Sequence, residues 1–262
     1  MMLKTNFENL LHIIKELDED LNKNEVQKEI QKVILEPRLS LKQLAAYPLA
    51  SAKAKLSILT KAKYPGSYIP RFYEEARKII CNTFSSNYPD AEIYFEEFER
   101  YANILLQEAQ SLDRDNKKNK ICSSNALNEM RHLSSILNPI LETFILNSNL
   151  KKTREHLYIQ EVRIGCMADI LIYENGGATL TGLLKFNFTK APLKKREAEN
   201  MLYIMKLFFE RNSQVSFKNK NCILVDVFAH KLYISANDAQ ISVDIKNSCK
   251  EIRDTWSLIT KS

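Results

Sequence analysis

The sequence predicts an α/β (α+β) protein, with a helical N-terminal part over residues 1–150 and a mixed-sheet core over residues 151–262. Two observations carry this. Apolar residues recur every three or four positions through the first part. Near residue 153 the spacing gives way to short runs rich in branched and aromatic residues, in the order three strands, helix, two strands, helix. Nothing in the composition decides between two domains and one continuous domain.

In the first part the helical segments are "FENLLHIIKELDEDL", "EVQKEIQKVILEP", "SLKQLAAYPLASAKAKLSILTKA", "PRFYEEARKIICNTF", "AEIYFEEFERYANILLQEAQSL" and "NALNEMRHLSSILNPILETFIL". Pro37, "YPGSYIP", "NYPD" and the charged "DRDNKKNK" supply interruptions, and Pro48 is expected to kink or divide its helix. In the second part the strands are "REHLYIQEVRI", "ADILIYE", "TLTGLLKFNF", "CILVDVFA" and "KLYISA". The "NGG" between the second and third is a hairpin signal. "LKKREAENMLYIMKLFFER" and "VDIKNSCKEIRDTWSLIT" read as helices, with Trp256 a core anchor.

At 262 residues the chain can bury a large core. No apolar run approaches the roughly 18 residues of a membrane span, so the expectation is a cytoplasmic protein without a membrane partner. The cysteines at 81, 122, 166, 222 and 249 are odd in number and scattered, which predicts buried, reduced thiols. His12, His132, His156 and His230 lack zinc-site spacing. Lys and Arg balance Asp and Glu at 20 each over residues 1–150, so the formal charge of +6 lies wholly in the C-terminal part. A polyanionic partner would suit that excess.

Strand alternation places Asp169, Leu171 and Tyr173 on one face, and Leu183, Lys185 and Asn187 on one face of the next strand. Asp169 and Lys185 can then meet across the hairpin. A lysine in so apolar a strand needs a partner, because burying an unpaired ammonium is costly.

The "GCMAD" start, the hairpin, the strand ending "LLK" and the helix after it resemble the PD-(D/E)XK nuclease superfamily, especially its RecB-like and Cas4-like branch. The resemblance covers roughly residues 153–235 and implies a nuclease-like core. It implies a DNA-processing or DNA-binding protein, acting alone or with a protein partner in a nucleic-acid-processing complex. In that family two carboxylates and a backbone carbonyl hold Mg²⁺ or Mn²⁺, and a lysine assists the attacking water. By position, Asp169 would be the first metal ligand, the carbonyl of Leu184 the backbone ligand and Lys185 the catalytic lysine. The second acid falls on Leu183, which cannot bind metal. Glu199, four residues before Tyr203 in "ENMLY", is the candidate for a displaced second acid, with Tyr203 in support. Two readings stay open: a metal-dependent deoxyribonuclease, or an inactive nuclease-like subunit that binds nucleic acid or protein. In the plainest alternative Asp169 only satisfies Lys185, and Glu199 only meets Lys194 or Lys195.

Two basic groups accompany this pattern. No acid occurs between Glu36 and Glu74, where Lys53, Lys55, Lys61 and Lys63 lie among Tyr47, Tyr64, Tyr68, Phe72 and Tyr73. Lys190, Lys194, Lys195 and Arg196 open the helix bearing Glu199. Both could follow a phosphate backbone, or be ordinary solvated surface beside a core of aromatic residues. "GATLTG" is not a phosphate loop, since Leu183 and Leu184 follow it inside a strand. Cys222 and Cys249 lack the further clustered cysteine that an iron–sulfur cluster of the related branch would need.

Overall fold

The computed structural model describes residues 33–66, 72–150 and 155–260. The helices expected over residues 7–21 and 25–37 lie outside them, apart from residues 33–37, which are not helical. Strand β1 (Arg38–Ser40) leads into α1 (Leu41–Ala46), capped by a reciprocal Ser40–Gln43 box. Tyr47 and Pro48 then form a short 3₁₀ turn before α2 (Ala52–Lys63), so the proline divides the segment as its missing N–H requires. Four helices follow: α3 (Glu74–Phe84), α4 (Ala91–Gln110), α5 (Arg114–Met130) and α6 (Ser134–Thr143).

The charged "DRDNKKNK" is not an interruption but the first turns of α5. Lys120 explains why: its Nζ bridges Glu75 of α3 at 2.7 Å and Glu108 of α4 at 2.6 Å. A second difference concerns residues 145 and 146, expected to be helical. They begin β2 (Ile145–Ser148), an antiparallel partner of β5 (Ile170–Glu174).

The first expected strand of the second part splits into β3 (Leu157–Ile159) and β4 (Val162–Gly165). Gln160 and Glu161 turn between them with φ of 48° and 65°, a left-handed pair that no glycine announces. Strand β5 joins β6 (Thr179–Asn187) through the Asn175–Gly177 turn. Helix α7 (Lys195–Ser213) crosses to β7 (Cys222–Asp226), which runs parallel to β6, and β8 (Lys231–Ile234) and α8 (Ala239–Thr255) complete the chain. The main sheet has the order β2-β5-β6-β7-β8, and a small sheet has the order β1-β4-β3.

Both faces of the main sheet are covered, which is why its central strands are apolar on both sides. Ile170, Ile172, Leu184, Phe186 and Val225 pack against Ile80, Phe84, Phe98 and Leu127 of the helical part. Leu183 and Leu224, on the opposite face, pack with Leu44, Leu202, Ile245 and Trp256. Each cluster draws residues from both sides of position 150. Trp256 donates its indole N–H to the Ile34 carbonyl at 3.2 Å, anchoring the described start of the chain to its end. Among the described residues, no helix is long and apolar enough to cross a membrane.

Cys81, Cys166, Cys222 and Cys249 are buried in these layers, and only Cys122 is partly accessible. Burial pushes the Cys166, Cys222 and Cys249 thiols up to about 12. Ellman titration of the native protein is therefore expected to find one reactive thiol, Cys122, and all five after unfolding. The unfolded thiols ionise first as pH rises, so this contribution to stability is complete below about pH 9 and is lost progressively towards pH 12. Several fast-reacting native thiols would contradict this packing.

Candidate functional site

The hairpin brings Asp169 and Lys185 together as the alternation requires. Asp169 is fully buried just before β5, where its N–H bonds the Leu184 carbonyl at 3.0 Å and its C=O accepts from the Asn149 N–H at 2.8 Å. With the backbone tied on both sides, the carboxylate points to Lys185, whose Nζ lies 2.9 Å from Oδ1. Oδ2 accepts the Phe186 N–H at 2.8 Å.

Sequence reasoning missed a third group. Arg77 reaches across from α3, placing its Nε 3.4 Å from Asp169 Oδ1 and its guanidinium 5.4 Å from the centre of the Phe188 ring. That Nε is buried and makes no hydrogen bond. The only sequence hint was a basic residue on an otherwise apolar helix face, which many surface helices share.

Lys185, with its side chain 11% exposed, has a pKa pulled below the ordinary ammonium range by burial. Asp169 opposes the shift and Arg77 adds to it. The cluster therefore sets two cationic side chains against one carboxylate.

This cluster lies at the wall of a cleft of about 800 Å³, between α3 and the end of β6. Among the described residues Lys42, Arg77, Lys78, Lys185 and Lys190 line it with Glu74 as the single acid, and Lys78 pairs with Glu74 at 3.6 Å. Phe72, Tyr73 and Phe188 supply aromatic wall, Tyr73 stacking on Phe188 at 5.6 Å. A buried polar chain shapes the loop after β6. Asp226, also missed in the sequence, accepts from Asn187 Nδ2 and from the Leu193 N–H, each at 2.8 Å. Asn187 accepts from the Thr189 hydroxyl at 2.9 Å, and Lys42 donates to that hydroxyl. The loop thereby carries Lys190 into the cleft. The legible signal for Asp226 was an acid ending the apolar run "CILVD".

The other expected site residues lie elsewhere. Leu183 is wholly buried in the hydrophobic core. Glu199 sits 3.7 Å from Arg196, which also binds Asp238 and Asp244 at the start of α8, and Tyr203 donates to Ser242 of α8 at 2.8 Å. Glu199 and Tyr203 thus form part of the seam between α7 and α8. What α7 contributes to the cleft is Met201, about half a turn round the helix from Glu199.

Of the basic groups, Lys190 lines the cleft, while Lys194 and Lys195 are exposed at the start of α7. Arg196 is engaged by α8. Lys53 and Lys61 are exposed on α2, and Lys55 pairs with Glu251 at 2.7 Å. Lys63 is a correction: it is buried and donates to the carbonyls of Trp256 and Ile259 at 2.8 and 2.9 Å, so it clamps the C-terminal turn and cannot meet a ligand. Tyr47 is likewise core, bonding Glu251, and Tyr64 bonds the Ile259 carbonyl. Tyr68 lies outside the described residues.

Among the described residues, no second carboxylate stands beside Asp169 to complete a site for a hard divalent ion. Both Asp169 oxygens are engaged, the Leu184 carbonyl accepts a ladder hydrogen bond, and Glu199 faces α8. No group of three or more His, Cys, Asp and Glu side chains among the described residues is placed to hold a metal. The arrangement can instead attract and hold an anion. Neither protein-family models nor curated proteins give a match to the chain.

Proposed function

We propose that the chain binds nucleic acid through its phosphate backbone in the cleft between α3 and β6, as a nuclease-like protein without hydrolytic activity. The observation that carries this is the cleft's charge: among the described residues five cations line it against Glu74, and Asp169 behind them is already held by Lys185, Arg77 and a backbone N–H. Lys42, Lys78 and Lys190 neutralise phosphates at the cleft mouth, while Phe72 and Tyr73 offer ring surface to unstacked bases. Such contacts hold a backbone without reading sequence. The sequence resemblance supports DNA as the polymer, and the loss of the second acid at Leu183 supports binding over cleavage.

The test is fluorescence anisotropy with labelled single-stranded DNA, duplex DNA and RNA, in EDTA and in Mg²⁺. Each neutralised phosphate contributes a log–log salt slope of about −0.7 to −0.9. With three to five phosphates held, affinity is expected to fall by roughly one to three orders of magnitude between 50 and 200 mM salt. It is expected to be the same in EDTA and to leave the oligonucleotide intact. No binding at low salt would sink the reading. Mg²⁺-dependent cleavage would replace it with the hydrolytic one, in which Asp169 and Glu199 hold the metal and Lys185 and Tyr203 serve the reaction.

A further inference from the structure

We propose that Arg77 and Lys185 form a phosphate-holding fork at the base of the cleft, and that the Arg77 guanidinium stands beside Asp169 where a divalent ion would otherwise be required. The inference rests on the nucleic-acid reading and adds to it a specific contact residue and independence from metal.

Charge balance is the first argument. Asp169 faces two cations, Lys185 Nζ at 2.9 Å and Arg77 Nε at 3.4 Å; the carboxylate is fully buried, the lysine nearly so, and the arginine side chain is 31% exposed to the cleft. Cys81 and Cys166, the thiols that interact with this cluster, are held neutral because burial raises both pKa values. Among the described residues one positive charge is left without a carboxylate partner inside the cluster, and in a partly desolvated site that charge favours an incoming anion. Glu74, on the same cleft, is met by Lys78 at 3.6 Å.

Donor geometry is the second. The buried Arg77 Nε makes no hydrogen bond, and among the described residues Asp169 is the carboxylate within 4 Å of the guanidinium. The plane is steadied by the Phe188 ring, 5.4 Å from its centre, which in turn stacks on Tyr73. A guanidinium placed in this way offers a pair of parallel N–H groups matched to two oxygens of a phosphate. Lys185 has N–H donors beyond the one given to Asp169, and both side chains open on the same cleft. The ligand class is accordingly a phosphate oxyanion, monoester or diester, bound with no bridging cation.

The experiment is calorimetric titration with inorganic phosphate and with a 5′-phosphorylated trinucleotide in EDTA, then in Mg²⁺. It uses the full chain and its Arg77→Ala, Arg77→Gln and Arg77→Lys variants. Arg100→Ala, which removes an exposed arginine of α4 paired with Glu97, is the control. Arg77→Ala and Arg77→Gln are expected to weaken both probes by about tenfold or more, as loss of a charge-assisted hydrogen bond implies. Arg77→Lys should retain part of the affinity, because it restores the charge without the fork. Mg²⁺ should leave wild-type binding unchanged. Wild-type affinity in a folded Arg77→Ala protein, or binding that vanishes in EDTA, would overturn the fork. If salt-sensitive oligonucleotide binding survives that result, the broader reading stands alone. If the wild type binds neither phosphate nor oligonucleotide at low salt, both fall.

Discussion

Asp169→Ala is expected to lower folding stability by about 3–5 kcal/mol, the usual cost of removing one partner from a buried ion pair. Urea unfolding would measure it. Asp169 is fully buried, accepts hydrogen bonds from Lys185 Nζ and the Phe186 N–H, and also balances the charge of Arg77. Alanine leaves an ammonium with an 11% exposed side chain beside a guanidinium, and strands a backbone N–H in the sheet. Burial already depresses the Lys185 pKa, and Asp169 is the largest influence opposing it. Without that carboxylate the lysine must shed its proton or draw in water. A second change separates charge burial from general damage. Asp169→Ala combined with Lys185→Met removes both charges and keeps an apolar stem in place, so it is expected to recover much of the loss. A single-variant cost below about 1 kcal/mol would mean that the pair is solvated, as surface pairs are. Asp169→Asn, which keeps an acceptor, is expected to retain phosphate binding, whereas a metal-dependent site would lose its ligand.

How much of this arrangement could be read from the sequence depends on the range of the interaction. The Asp169–Lys185 contact was legible because both residues sit on adjacent strands joined by "NGG", so a period of two and a known turn fix which side chains meet. Arg77 was not, because a helix from the first part has to cross the sheet to reach Asp169, and no local pattern encodes that crossing. Lys63 misled for the same reason: an acid-free stretch suggests a basic surface, yet its ammonium satisfies carbonyls nearly 200 positions away in the chain. In β2, an apolar run suited to a helix was drawn into the sheet by pairing with β5. Glu199 and Tyr203 do share a stripe of α7, as their spacing demands. Spacing alone could not say that the stripe faces α8 rather than the cleft.

Gly182→Ala should be among the most disruptive substitutions in the sheet, although its chemical change is one methyl group. A Cβ at this position would lie 2.1 Å from the Asn221 carbonyl oxygen, 2.5 Å from the Asn221 Cβ and 2.8 Å from its carbonyl carbon. Two of these three atoms are backbone, so no rotamer change clears the overlap. The chain at Asn221 is fixed in turn: its Nδ2 donates to Thr181 Oγ1 at 2.8 Å, and the next residue, Cys222, begins the parallel ladder opposite Leu183. Room for a methyl therefore means prising β6 from β7 at the first rung, and that rung sets the register by which Lys185 lies opposite Leu224. A cost of about 3 kcal/mol or more is expected, at the upper end of overpacking, read as a lower urea midpoint. Gly176→Ala provides the contrast. There a Cβ meets nothing within 4 Å and only the φ of 64° resists it, so a cost of about 1 kcal/mol is expected. The comparison also bears on the cleft. If Gly182→Ala folds at all, displacement at the first rung should move Lys185 relative to Arg77 and weaken phosphate binding, while Gly176→Ala leaves it unchanged. Equal stability of the two variants would mean that β6 and β7 are not as close as this packing requires, and the placement of Lys185 at the base of the cleft would have to be redrawn with them.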